Sequence, residues 1–334
     1  MVLIVPETST ELISNGIKPF GNCLKIMDFQ RVILEKQLNK EKLYRKVAGM
    51  LEQEKIVIVY DRGIMDNKSY IEKGQFKTLL KEYGLNEMEA RERYDAVFHL
   101  VTSADGAEEF YTLSNNTART ETPEEARALD KKTLANWLGH PHLRVIDNST
   151  DFEEKMNRLM SEIYSAMGDP IPIEIERKYL IEMPNIEEIS RITPITTIDI
   201  VQHYLIEEEP EVERRIRQRG IDGNYLYYLT EKKKINMVKR LEKGRRISQE
   251  EYLHLLMKLD TSLKQIIKKR ICFVYERQYF ELDIYEFSKD KAILEIELTE
   301  ENKEVKIPEF IHVIKEVTED KKYKNHELAR SYEL

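Results

Sequence analysis

The 334-residue sequence predicts two consecutive domains, an α/β domain with a parallel sheet followed by an α+β domain with an antiparallel sheet. In residues 1–165, short and wholly apolar strands alternate with longer helical stretches, which is typical of a parallel sheet covered on both faces. In residues 173–334 the strands are longer, charged and alternating, as antiparallel strands are. The stretch 166–172 contains Pro170 and Pro172 and is predicted to be a linker.

Strand and helix signals alternate through the first half. Apolar runs predict strands at VLIVP, IVIVY, AVFHLVT and LRVID. Between them, helical patterns cover CLKIMDFQRVILEKQLNKEKLYRKVAGMLEQ, as one helix or two, the region around 67–93, and TPEEARALDKKTLANWL. The last of these begins with Thr122 before Pro123 and Glu124, an order that favours a helix start.

Strands dominate the second half. They are predicted at IEIERKYLI, VERRIRQRG, NYLYYLTEKKK, KKRICFVYERQ, YFELDIYEF and AILEIELT, the last two forming a hairpin around SKDK. The clearest helix is QEEYLHLLMKL. This half is therefore predicted to be an antiparallel sheet with a few helices.

Composition excludes several classes of protein. The net charge of −8 and the pI near 5.6 argue against bulk binding of nucleic acid or an anionic membrane. The two cysteines, Cys23 and Cys272, lack metal-ligand spacing and fit a reducing compartment. The longest apolar runs have strand length, and the N-terminus does not resemble a signal peptide. We expect a cytoplasmic protein without an integral membrane segment; its oligomeric state is not predicted.

Charged pairs recur on the strands of the second half. Glu-Ile-Glu occurs twice, as Glu174 with Glu176 and as Glu295 with Glu297. Basic pairs lie on the strands between, at Arg215 and Arg217, Lys232 and Lys234, and Lys268 and Arg270, with Arg240 two residues before Glu242. One such strand alone usually turns its charges to water. Acidic and basic pairs on so many strands instead predict inward charges, hence a closed β-barrel with a polar interior.

The two kinds of charge predict two kinds of ligand. Buried carboxylates repel one another and need cations to stay ionised, and their hard oxygens suit Mg²⁺ or Mn²⁺. Arginine and lysine around such a metal would hold a polyanion, for which phosphate is the obvious candidate. The barrel is therefore predicted to bind a chain of phosphates.

These motifs resemble the CYTH superfamily, the triphosphate tunnel metalloenzymes, over about 172–330. The order of the matched strands is the specific part of the resemblance. They are Glu-x-Glu-x-Lys at Glu174, Glu176 and Lys178, Arg215-x-Arg217, Leu229-Thr230-x-Lys232, Arg240-x-Glu242, Lys268 with Arg270, Asp283, and Glu295-x-Glu297. The family often has a further glutamate where this chain has Gly244.

The resemblance implies roles for these residues in a closed tunnel. Basic side chains would grip the triphosphate and stabilise charge on the transferring group, namely Lys178, Arg215, Arg217, Lys232, Arg240, Lys268 and Arg270. Carboxylates would hold Mg²⁺ or Mn²⁺ or orient water, namely Glu174, Glu176, Asp283, Glu295 and Glu297. The carboxylate that acts on water is left open.

The first half resembles the AAA-type, P-loop domain of NadR-like ribosylnicotinamide kinases and of the TRP translocation defect protein. The resemblance rests on VPETSTELISNGIKP, IVIVYDRG, FYTLSNNTARTETPEEARALD and GHPHLRVIDN and covers about 1–160. No G-x-x-x-x-G-K-[ST] phosphate loop occurs, so this domain is expected to be N-terminally truncated, through a late start or a real loss. The nucleotide-binding candidates are Glu7, Asp61, Arg62 and Arg119. His140 and His142 are interpreted as structural.

The expected activity is hydrolysis of inorganic triphosphate, or of a nucleoside or thiamine triphosphate. A class IV-type adenylyl cyclase is one alternative. The other is a non-catalytic protein that binds GTP and an anionic lipid, phosphatidic acid, as the two-domain relative implies. Inward carboxylates favour the enzyme, because anion capture alone needs only the basic residues.

Overall fold

The computed structural model describes residues 1–111, 121–168, 175–206, 212–234, 240–298 and 303–334, with the backbone alone for residues 73, 233–234 and 240–243. The chain forms two compact units. Unit 1 comprises Met1–Arg93 and Val101–Trp137, and unit 2 comprises Tyr94–Leu100 and Leu138–Leu334. Most of the predicted linker lies outside the described residues, so the boundary at 166–172 stays a prediction.

Unit 1 contains a parallel strand pair and five helices among its described residues. Strands β1 (Val2–Val5) and β2 (Val57–Tyr60) pair in parallel, as the apolar runs predict. The helices are α1 (Thr8–Ser14), α2 (Ile26–Ala48), α3 (Lys73–Glu82), α4 (Glu87–Arg91) and α5 (Pro123–Trp137), with 3₁₀ turns at Ile64–Tyr70 and Glu108–Phe110. Helix α2 is continuous. The start of α5 is confirmed, since the Glu125 amide donates to Thr122 Oγ1 at 3.2 Å.

A second parallel pair belongs to unit 2. It consists of β3 (Val97–Leu100) and β4 (Leu143–Ile146), and α6 (Phe152–Ala166) follows. Asp151 caps α6 by accepting a hydrogen bond from the Glu154 amide at 2.9 Å. Within the described residues, the predicted parallel sheet is therefore present as two separate two-stranded pieces.

The remaining strands of unit 2 form a nine-stranded sheet in the order β13-β5-β12-β11-β10-β6-β7-β8-β9. These strands are β5 (Ile175–Glu182), β6 (Ile195–Tyr204), β7 (Val212–Ile221), β8 (Asn224–Lys234), β9 (Arg240–Ile247), β10 (Ile266–Tyr275), β11 (Gln278–Tyr285), β12 (Lys291–Leu298) and β13 (Val313–Glu316). The hairpin β11–β12 encloses SKDK as predicted. The described edge strands, β13 and β9, do not pair with each other, so the predicted closed barrel is not found. Alternation along each strand places the charged side chains on one face of the sheet. An open sheet meets this condition as well as a closed barrel does.

One face of this sheet is apolar. Leu294 and Ile296 of β12 pack with Phe273 and Phe280 in a buried cluster that includes Ile189 of helix α7 (Ile186–Ile192). Helix α8 (Gln249–Leu255) contributes Tyr252 and Leu255 to a second cluster, which covers β7 to β9. Helix α9 (Asn325–Ser331) contributes Leu328 and Ala329 to a third cluster, which lies on the opposite face of the sheet and contains Tyr285, the residue paired with Lys268. Every helix in the described ranges is too short or too polar to cross a membrane.

Candidate functional site

The opposite face of the sheet collects most of the predicted site residues, and we name it the charged face. Residues directly paired in antiparallel strands project from the same side of a sheet. Glu295 pairs with Lys178 and with Glu281, and Arg270 pairs with Asp283. The same register continues across β6, β7 and β8. The predicted residues that it places on this face are Glu176, Lys178, Arg215, Arg217, Lys232, Lys268, Arg270, Asp283, Glu295 and Glu297.

Three predicted residues cannot be placed in the same way. Glu174 lies outside the described residues. The backbone positions of Arg240 and Glu242 pair with Lys234 and Lys232, so their register is that of the charged face. Two residues that the sequence reasoning did not select, Arg219 and Glu281, also lie on it. Arg219 is two residues from Arg217 and Glu281 is two residues from Asp283, and this spacing could have identified both in the sequence.

The centre of the charged face is a buried network of ion pairs. Lys178 Nζ lies 2.7 Å from Glu295 Oε1, and Arg270 Nη2 lies 2.7 Å from Glu295 Oε2. Arg270 also bonds Asp283 through Nε at 2.7 Å, and Lys268 pairs with the same carboxylate. Asp283 is fully buried and Lys268 is 4% exposed. Each carboxylate oxygen of Glu295 and Asp283 therefore forms an ion pair with a lysine or arginine side chain.

The network fixes the charge of its central carboxylate. Burial alone would raise the pKa of Glu295, but Lys178, Arg270 and Lys268 outweigh it and hold that pKa far below its usual range. Burial opposes the charge of Lys178, yet Glu295 and Glu176 raise its pKa. Glu295 is consequently ionised at neutral pH and acts as an anchor for two cations.

The acidic end of the face is more open. Glu176 and Glu297 lie directly opposite each other on β5 and β12, and their side chains are 40% and 35% exposed. Like charges in this position repel, which favours a cation between them. Lys178 Nζ lies 3.5 Å from Glu176, and Arg144 of β4 pairs with Glu297. Within the described ranges, no group of three or more Asp, Glu, His or Cys side chains is arranged to hold a metal ion.

The basic end lies on β7 and β8. Arg215 pairs with Thr230, and Arg217 with Tyr228. The Thr230 hydroxyl is buried and has no hydrogen-bond partner in the part of the chain that the structure describes. A buried donor of this kind next to guanidinium groups suits an anionic oxygen. This end of the face therefore collects donors of the kind that the sequence predicts for a phosphate.

The nucleotide-binding candidates of unit 1 follow its parallel strands. Glu7 comes after β1 and accepts hydrogen bonds from Ser9 at 2.7 Å and Thr10 at 2.5 Å. Asp61 and Arg62 come after β2, and Arg62 has φ of 71°, in the left-handed region that side chains rarely adopt. The carboxyl ends of parallel strands are where α/β sheets bind ligands. Arg119 lies outside the described residues.

The two histidines of GHPHLR hold a turn. His140 is buried, and its Nε2 is 3.0 Å from the Tyr94 carbonyl oxygen. The His142 amide donates to His140 Nδ1 at 3.0 Å. Burial, with a contribution from Arg144, lowers the pKa of His142 to about 4. These contacts fit the structural interpretation of both residues.

Comparison with known proteins agrees with the parallel strand pairs and their helices. Residues 1–155 match the AAA domain family. This AAA domain segment runs from β1 through β4 into the start of α6. The resemblance of the first half to an AAA-type domain is thereby confirmed. No curated protein matches the chain.

Solved structures of the CYTH type are similar to the region that follows the AAA domain segment. The inorganic triphosphatase NE1496 is 28% identical over 48% of this chain and 95% of its own, with a TM-score of 0.35. PH1819 from Pyrococcus horikoshii OT3 is 21% identical over 39% and 81%, with a TM-score of 0.31. The putative adenylyl cyclase HpAC1 from Hippeastrum, described as having a dominant triphosphatase activity, is 15% identical over 37% and 80%, with a TM-score of 0.28.

Proposed function

We propose that unit 2 is a divalent-cation-dependent triphosphatase, acting on inorganic triphosphate or on a nucleoside or thiamine triphosphate. The observation that carries this proposal is the composition of the charged face. Guanidinium and ammonium groups of β5, β7 and β10 share one face of the sheet with the opposed carboxylates of Glu176 and Glu297. The basic groups suit the binding of a phosphate chain, and the two carboxylates suit the binding of the divalent cation that assists hydrolysis.

The basic side chains bind and orient the phosphates. Arg215 and Arg217 lie on β7, where their planar donors suit bidentate contact with phosphoryl oxygens. Lys178 of β5 and Arg270 of β10 are both held by the carboxylate of Glu295. Because this carboxylate fixes their positions before substrate binds, little reorganisation is needed when charge develops on the transferring phosphoryl group.

The cation-binding residues are Glu176 and Glu297, together with Glu174, which lies outside the described residues. Their hard oxygens suit Mg²⁺ or Mn²⁺, which when bound polarises phosphoryl oxygens and orients water. Glu295 and Asp283 have a different role, since their oxygens already accept from Lys178, Lys268 and Arg270. Both of these carboxylates hold basic side chains in place.

The test is phosphate release by the full-length protein with Mg²⁺ or Mn²⁺. Inorganic triphosphate, ATP and thiamine triphosphate form the substrate panel. Turnover of at least one is expected, and Glu176→Gln should abolish it. The matched control is Glu182→Gln, an exposed position on the same strand, which should retain activity. Absence of turnover on every substrate, together with tight binding to phosphatidic acid vesicles, would replace the enzyme with a non-catalytic lipid-binding protein.

A further inference from the structure

Arg144 is a basic residue of unit 2 that lies outside the nine-stranded sheet but reaches its acidic end. It is on β4, and its side chain is 11% exposed. Its Nη2 forms an ion pair with Glu297 of β12. Its Nε lies 3.3 Å from Glu162 Oε2 on α6. One guanidinium thus joins the β4–α6 segment to a carboxylate of the proposed cation site.

The guanidinium of Arg144 is oriented by its own segment. In addition to the Glu162 contact, its Nη1 donates to the Leu143 carbonyl oxygen at 3.1 Å. Burial raises the pKa of Glu162, opposed mainly by Arg144. The nitrogen that faces Glu297 is therefore presented by a side chain whose other nitrogens are already bonded. Such an arginine can exchange one anionic partner for another without losing its position.

The turn before β4 is docked on the charged face. Gly139 has φ of +88°, and a Cβ added there would lie 2.8 Å from Ile198 Cδ1. Arg219 Nη2 donates to the Gly139 carbonyl oxygen at 2.9 Å, and the Gly139 amide is 3.3 Å from the Tyr279 hydroxyl. Contacts this close hold β4, and with it Arg144, next to the sheet.

We infer that Arg144 is a further anion-binding residue of the site, delivered by β4, and that it balances the charge of Glu297 until a cation and substrate bind. This inference rests on the proposed function. A cation bound at Glu297 would compete with the guanidinium for the same carboxylate. The guanidinium would then face the phosphate oxygens brought by the substrate, for which its planar donors are suited.

This role predicts opposite effects on the two ligands. Replacing Arg144 by glutamine removes a positive charge near both sites. Binding of the anion should weaken, because a charge-assisted contact is lost. Binding of the cation should strengthen, because a competing positive charge at Glu297 is gone. A purely structural ion pair would not produce opposite changes.

The experiment uses the full chain and two binding measurements. Calorimetry with a methylene-bridged, non-hydrolysable analogue of inorganic triphosphate at saturating Mg²⁺ gives the anion Kd, and paramagnetic resonance of free Mn²⁺ gives the cation Kd. For Arg144→Gln we expect the anion Kd to rise about tenfold and the Mn²⁺ Kd to fall. Arg144→Lys keeps the charge, so both of its Kd values should lie between those of Arg144→Gln and those of wild type. The matched control is Arg158→Gln on α6, which loses a similarly buried pair with Asp147 and should change neither Kd.

The outcomes separate this role from the proposed function. If both constants of Arg144→Gln equal those of wild type, or if both ligands bind more weakly to Arg144→Gln than to wild type, the role of Arg144 is overturned. If wild type binds the analogue in an Arg144-dependent way but releases no phosphate from any triphosphate, the triphosphatase fails and the anion-binding role stands. If wild type does not bind the analogue, both are overturned.

Discussion

Lys178 of β5 and Glu295 of β12 lie directly opposite each other and form an ion pair of 2.7 Å on the charged face. The other oxygen of Glu295 accepts from Arg270 at 2.7 Å. This carboxylate is therefore neutralised from both sides, which is how a buried anion remains ionised. Because of this arrangement, the stability of the fold depends on each of the basic side chains around Glu295.

Replacing Arg270 should destabilise the protein strongly. Arg270→Met leaves Asp283 and Glu295 with one partner fewer in a buried setting, and breaking such a network costs about 3–5 kcal/mol. Urea unfolding measures the loss. The control is Arg245→Met, whose pair with Glu251 is solvent-exposed and should matter little. Equal midpoints for the two variants would contradict the importance of the buried network.

Gly139 should tolerate alanine less well than Gly168. Both have positive φ, at +88° and +72°, so alanine meets the same backbone penalty at each. Only at Gly139 would the new Cβ collide, with Ile198 and Thr196, whereas Gly168 has open space around it. We expect Gly139→Ala to be less stable by about 1–3 kcal/mol than Gly168→Ala in denaturant unfolding. Matching stabilities would show that the turn is not tightly docked.

Acid should weaken unit 2 through Asp147. Burial would raise the pKa of this carboxyl, but hydrogen bonds from Ser149 and Arg158 hold it at about 2, below the ordinary 3.8. A depressed folded-state pKa stabilises the protein above the unfolded pKa, here by about 2 kcal/mol, and this is lost as pH falls from about 4 to 2. The stability difference between wild type and Asp147→Asn should shrink over that range. A difference that is constant with pH would contradict the linkage.

The two cysteines should react at different rates. Cys23 is exposed, whereas Cys272 is buried on β10, and burial raises its pKa to about 12. Thiolate is the reactive form, so Cys272 should be inert in the folded protein. An aromatic disulfide reagent should label one thiol per native chain and two after denaturation. Cys23→Ser is the control, and rapid labelling of that variant in buffer would show that β10 opens readily.

The sequence predicted which charges share a face because that depends on local alternation. Lys178 and Glu176, or Arg215 and Arg217, project from the same side whichever strands they pair with. The same spacing could have added Arg219 and Glu281. The class of each half follows similarly from strand length and apolar pattern, and the helix start at Thr122 follows from capping chemistry.

Long-range pairing could not be predicted in this way. Closure into a barrel depends on contacts between edge strands, which alternation does not encode, and the described strands leave β13 and β9 unpaired with each other. Arg144 was missed for the same reason. Its partner Glu297 is remote in the chain, and the segment LRVID reads as an ordinary strand of the first half.

The division of the chain into interleaved units has a consequence for synthesis. β3, β4 and α6 belong with the nine-stranded sheet, yet they leave the ribosome before any of its strands. Their final surroundings are supplied only when the carboxyl-terminal half emerges. A gene fragment that starts at 173 would therefore encode the sheet without the turn that docks at Ile198 and without Arg144. The shorter product is expected to expose apolar and charged surface that the whole chain covers.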